Sequence, residues 1–86
     1  MNVEPLMRAA VEYAVFLGTS DDQTVQPDAA VAQLEHLAAI LQRLNDRELD
    51  QFRLFVQRIA EDEESESGHT PRAEFLSSML DNLGLA

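Results

Sequence analysis

Residues 5 to 17, PLMRAAVEYAVFL, hold only two strongly polar side chains, Arg8 and Glu12. Pro5 suits the first turn of a helix, and Gly18 is placed to end one in the left-handed conformation, so the stretch reads as helical. At 100° per residue Leu6, Ala10, Tyr13 and Leu17 form one stripe, with Met7, Val11, Ala14 and Val15 forming a second beside it. Ala9 and Phe16 lie on the far side of the two charges, which widens the apolar arc to roughly 260° of the circumference. Such a helix cannot rest on one neighbour. Either the remaining chain encloses it, or the second stripe, Met7, Val11, Ala14 and Val15, is left as a contact face for another copy of the chain.

The rest of the sequence supplies three more helices and no strand pattern. GTSDDQTVQ, residues 18 to 26, is polar and turn-rich, and Pro27 with Asp28 then opens a helix expected to reach Leu44. Within it Ala30, Leu34, Leu37, Leu41 and Leu44 alternate spacings of four and three, a seam for packing against another helix. LNDREL, residues 44 to 49, is a capping box. Asn45 can accept from the amide of Glu48 while the Glu48 side chain reaches back to the Asn45 amide, and Leu44 and Leu49 occupy the staple positions around it. The helix that follows, 46–60, places Leu49, Phe52, Phe55, Val56 and Ile59 on one side and leaves Leu54 among polar residues on the other. Thr70 and Pro71 begin a last helix, 71–83. It carries Phe75, Leu76, Met79, Leu80 and Leu83 on its apolar side, and Gly84 and Leu85 are placed to close it in a Schellman turn.

The expected fold is therefore all-α, a small bundle of four short helices at about 5–17, 27–44, 46–60 and 71–83. Eighty-six residues make one domain with a radius of gyration of about 12 Å and room for one core. A chain this short leaves little stability to spare, so an interface with a partner would matter to the fold as well.

Charge is what separates this chain from an ordinary small bundle. Sixteen acidic residues stand against six arginines and no lysine, a formal net charge of −10. That sign repels phosphate backbones and anionic lipid, which argues against direct nucleic-acid or membrane binding. No uninterrupted apolar run is longer than that from Tyr13 to Leu17, far short of the roughly 20 residues that span a bilayer. Glu4 and Arg8 interrupt the start of the chain, so a secretory signal is not expected, and a cytoplasmic location is.

Five carboxylates fall in the six positions from Glu61 to Glu66, directly behind the third helix. At that end they oppose the helix dipole by roughly 0.3–1 kcal/mol each, so fraying is expected near residues 60–63, followed by a mobile acidic connector over 61–69. The run lacks the spacing and glycine of an EF-hand loop, and Ser65 and Ser67 are weak phosphorylation candidates. Its most concrete functional reading is an electrostatic handle, in which Glu61, Asp62, Glu63, Glu64 and Glu66 draw a cationic surface from about 8 Å away.

Catalytic constellations are sparse. There is no cysteine, and His36 and His69 have no fixed helical relation, so neither thiolate chemistry nor a zinc site is expected. No nucleophile turn or glycine-rich phosphate cradle is present. A helix-turn-helix built on the Asn45 corner would present Asp46, Glu48 and Asp50 to phosphates. An enzyme is thus not expected, and no cofactor or metal is either.

The segments SDDQTVQPDAAVAQLEHLAAILQRL, FRLFVQRIAEDEE and FLSSMLDNLGL together resemble short acidic helical proteins of bacteria, over most of the chain from Ser20 onward. The resemblance implies an all-helical fold and no particular site residue. In composition the chain also resembles the immunity proteins that neutralise toxins. The expected function is a non-catalytic module that holds a basic protein surface, with a homo-oligomer joined through the first helix as the alternative.

Overall fold

The structure, a computed structural model, describes residues 3–86. Four helices follow one another, α1 (Glu4–Thr19), α2 (Pro27–Leu41), α3 (Asp46–Ser67) and α4 (Pro71–Asn82). No strand occurs among the described residues, and the radius of gyration is 12.8 Å. This is a small all-α four-helix bundle. α2 runs back along α1, with Tyr13 donating to Gln33, and α4 runs back along α3, with the Arg53 side chain donating to the Leu85 carbonyl at 2.6 Å.

α1 is the element that packs on all three others, as its wide apolar arc requires. The second stripe is its inner face. Val11 and Ala14 have no exposed surface, Val15 is buried, and Met7 is partly buried against the same core. The expectation that Met7, Val11, Ala14 and Val15 form an oligomer face is therefore corrected: these side chains fill the centre of the bundle. The apolar residues left outside are Leu6, Tyr13 and Phe16, with Leu6 61% exposed.

The core is completed by Phe52, Phe55, Val56 and Ile59 from α3, by Leu76 and Met79 from α4, and by Leu83 and Leu85 just past it. α2 contributes Ala38 and Leu41, while Leu34, Leu37 and Leu44 of its seam are only partly buried. Leu54 faces solvent. Every fully buried side chain among the described residues is apolar.

Local hydrogen bonds set the corners. The capping box is formed, with Glu48 N donating to Asn45 Oδ1 at 2.9 Å and Asn45 N to Glu48 Oε1 at 3.0 Å. α2 stops at Leu41, three residues before the expected end, and the chain tightens through Arg43 N to Ile40 O and Leu44 N to Leu41 O, both 3.1 Å. That tighter turn brings Asn45 round to its capping position. Past α4, Leu85 N donates to Leu80 O at 2.8 Å and Gly84 N to Asp81 O at 3.1 Å, the two bonds of a Schellman closure, with Gly84 at φ 71°.

Gly18 does not play the expected part. α1 continues to Thr19, whose hydroxyl donates to Val15 O at 2.7 Å, and Ser20 bonds to Phe16 O through both its hydroxyl and its amide, the latter at 3.1 Å, so side-chain bonds reinforce the last turn. Gly18 is needed for space. A Cβ there would lie 2.1 Å from Cε2 of Phe75, whose ring lies against the bare backbone.

Candidate interaction surface

α3 continues to Ser67, so the acid run forms its last two turns and the boundary expected at Ala60 is corrected. A tertiary contact offsets the unfavourable dipole. Glu63 Oε1 accepts from Arg72 Nε at 3.0 Å, and Thr70 Oγ1 lies 3.4 Å from Glu63 Oε2. Arg72 stands in the first turn of α4 and places a cation beside the negative end of α3, the arrangement that a helix C-terminus favours. Gly68, at φ 75°, then ends the helix with its amide bonded to Glu64 O at 2.9 Å. What remains between α3 and α4 is Gly68 to Thr70.

The five acids consequently do different jobs. Glu63 is turned inward and taken up by Arg72, whereas Glu61, Asp62, Glu64 and Glu66 are exposed and make no ion pair among the described residues. On the helix Asp62 and Glu66 stack at i, i+4, while Glu61 and Glu64 stack at i, i+3 roughly 150° farther round the axis. Like charges at these spacings repel, so each pair concentrates negative charge at the α3 end.

Arg72 also grips Glu12 of α1 through both terminal nitrogens, at 2.6 and 2.8 Å. The hydrogen bond to Arg72 holds the Glu12 carboxyl below its ordinary value of 4.5, against a smaller opposing effect of desolvation. Arg8 adds a looser contact to Glu12 at 3.4 Å. Elsewhere Arg58 pairs with Glu4 at 2.9 Å and Arg53 with Asp50 at 2.7 Å. Four arginines are thus absorbed by four acids, and among the described residues the other twelve carboxylates make no ion pair with an arginine. The charge excess is a property of the folded surface as well as of the composition.

Comparison with known proteins finds no counterpart. No family model, no curated protein and no solved structure matches this chain.

The two histidines are exposed and separate, His69 lying 3.8 Å from Glu74. No group of three or more His, Asp or Glu side chains converges on a metal-sized point among the described residues. No described helix is long and apolar enough to cross a membrane.

The sequence did not point to the depression between α2 and α4. These helices flank α1 and scarcely touch each other, leaving a groove of about 750 Å³. Val31, Leu34 and Ala38 of α2 line one side, Asn82 and Leu83 at the end of α4 the other, and Gly18 and Phe75 lie at one end. The signal for it was faint: Val31 extends the three-and-four spacing of Leu34 and Ala38 just beside the Leu37 and Leu41 seam.

Proposed function

We propose that this protein is a non-catalytic interaction module that binds a basic protein surface through the exposed acids at the end of α3, Glu61, Asp62, Glu64 and Glu66. The observation that supports this is that none of the four makes an ion pair among the described residues, although four of the six arginines are engaged with other acids. Uncompensated charge of one sign steers an oppositely charged surface and selects against partners of like sign. An immunity or inhibitor protein, acting in the cytoplasm, is the most concrete form of such a module.

The test is affinity for a cationic protein partner, captured at low salt and then titrated between about 50 and about 200 mM salt. Binding should weaken with salt, and the combined variant Glu61→Gln, Asp62→Asn, Glu64→Gln, Glu66→Gln should lose about tenfold or more in affinity. A flat salt titration together with unchanged binding by that variant overturns the reading.

A second reading, self-association through α1, is favoured by the exposure of Leu6, Tyr13 and Phe16 on one side of that helix. Sedimentation over a range of concentrations separates the two. A concentration-dependent dimer that Leu6→Glu with Phe16→Glu dissociates supports self-association, and a monomer throughout removes it.

A further inference from the structure

We infer that the groove between α2 and α4 is the seat of a basic amphipathic helix from a partner protein. This rests on the reading that the chain's partners are cationic, but it places the contact on a different surface from the acids of α3.

A helix that packs on one neighbour needs one apolar stripe, and Leu37 and Leu41 supply it toward α1. The apolar surface of α2 continues past that stripe through Leu34 and Ala38, which border both the core and the groove, to Val31, which is 55% exposed. The lining residues of α2 run from Val31 to Gln42. Eleven residue steps at 1.5 Å make roughly 16 Å, the length of three turns of an incoming helix. Gln42 narrows one end, since a Cβ on Gly84 would lie 3.6 Å from its Nε2.

The edges define the occupant. The ionisable groups that line the groove are Glu35 and Asp81, one on each wall, and neither makes an ion pair among the described residues. Seven residues earlier on each helix, nearly in line along the same side, stand Asp28 and Glu74. α2 carries no arginine at all, and the one arginine of α4, Arg72, is turned to Glu12 and Glu63. An apolar floor between two acidic edges matches a helix with small or medium apolar residues at i, i+3, i+4 and i+7 and Lys or Arg on both flanks. A second copy of this chain fits poorly, because each copy brings a charge of −10.

The test uses the full chain and two synthetic peptides of about 18 residues with the same leucine and lysine content. One places its leucines on a single helical face, and the other scatters them around the helix. The amphipathic peptide should bind about tenfold or more tightly than the scattered one, and methyl signals of Val31, Leu34 and Leu83 should shift on its addition. Val31→Arg with Ala39→Arg, both at exposed groove positions, should abolish that preference while leaving the helical circular dichroism intact. Equal affinity for the two peptides, absence of binding, or binding that the groove variant leaves untouched overturns the inference. If the groove variant binds as before and the α3 acid variant loses binding, the groove assignment fails while the proposed function stands. If the groove variant loses binding and the α3 variant does not, the groove holds and the assignment to α3 fails.

Discussion

Arg72 and Glu12, sixty residues apart in the chain, form a two-pronged ion pair at 2.6 and 2.8 Å that ties the first turn of α4 to the middle of α1. The same guanidinium reaches Glu63 with its Nε, so one side chain joins three helices. Its planar fork suits this task, and lysine could not reproduce it.

The clasp is partly exposed, so the cost of removing one partner lies between that for an exposed pair, roughly 0.2–1 kcal/mol, and that for a buried pair left with an unpaired charge, roughly 3–5 kcal/mol. Arg72→Met is expected to lower stability by about 1–2 kcal/mol in urea unfolding, after allowing for solvent screening. A double-mutant cycle with Glu12→Gln should show a favourable coupling, and additive effects would mean that the pair does not act as one.

Acid should loosen the clasp. Because the folded carboxyl of Glu12 lies below 4.5, the folded state binds fewer protons there than the unfolded chain. Its stabilisation is present in full above about pH 5 and is lost as pH falls through the folded value. The melting temperature of the natural protein should exceed that of Glu12→Gln near neutrality, and the gap should narrow below about pH 4. A gap that is constant over that range contradicts the assignment.

Gly18→Ala tests the close approach of α1 and α4. The added methyl would meet three ring atoms of Phe75 at 2.1 to 2.8 Å, so the ring must leave its place. Alanine gains about 1 kcal/mol of helix propensity, which overpacking of about 1–3 kcal/mol outweighs. A net loss in stability is expected, and much of it should vanish when Phe75→Leu is combined with it. Equal losses with and without Phe75→Leu would refute the steric account.

Val11→Glu would place a charge at a position with no exposed surface, and loss of the folded state is expected by circular dichroism. Leu6→Glu, on the outer side of the same helix, should change stability by about 0.5 kcal/mol or less. If Val11→Glu instead left a folded monomer, the inner and outer faces of α1 would have to be exchanged.

The features readable in the sequence are those whose partners lie within a few residues. Asn45 and Glu48 cap each other, Thr70 accepts from the Ala73 amide, and Leu85 reaches back to Leu80, so each could be inferred from spacing alone. The corrected features depend on distant contacts. Nothing near Glu63 announces that Arg72 will neutralise it, so the local dipole argument stopped α3 two turns early. Gly18 looked like a terminator because its true neighbour, Phe75, arrives from another helix. On α1 two apolar stripes of similar strength lay side by side, and only the positions of α3 and α4 decide which one turns inward. The α2 groove was only faintly legible, in Val31, and its vacancy depends on where α4 lies.

Because α3 remains helical through Glu66, the anionic groups of the proposed docking site sit on a stiff rod. Asp62 and Glu66 are one turn apart, a rise of ~6 Å along the axis. A slack tail would welcome any polycation, since it can rearrange to suit. A rod acts as a ruler, favouring ligands whose positive groups repeat at a matching interval and discriminating by distance where a tail would respond only to total charge.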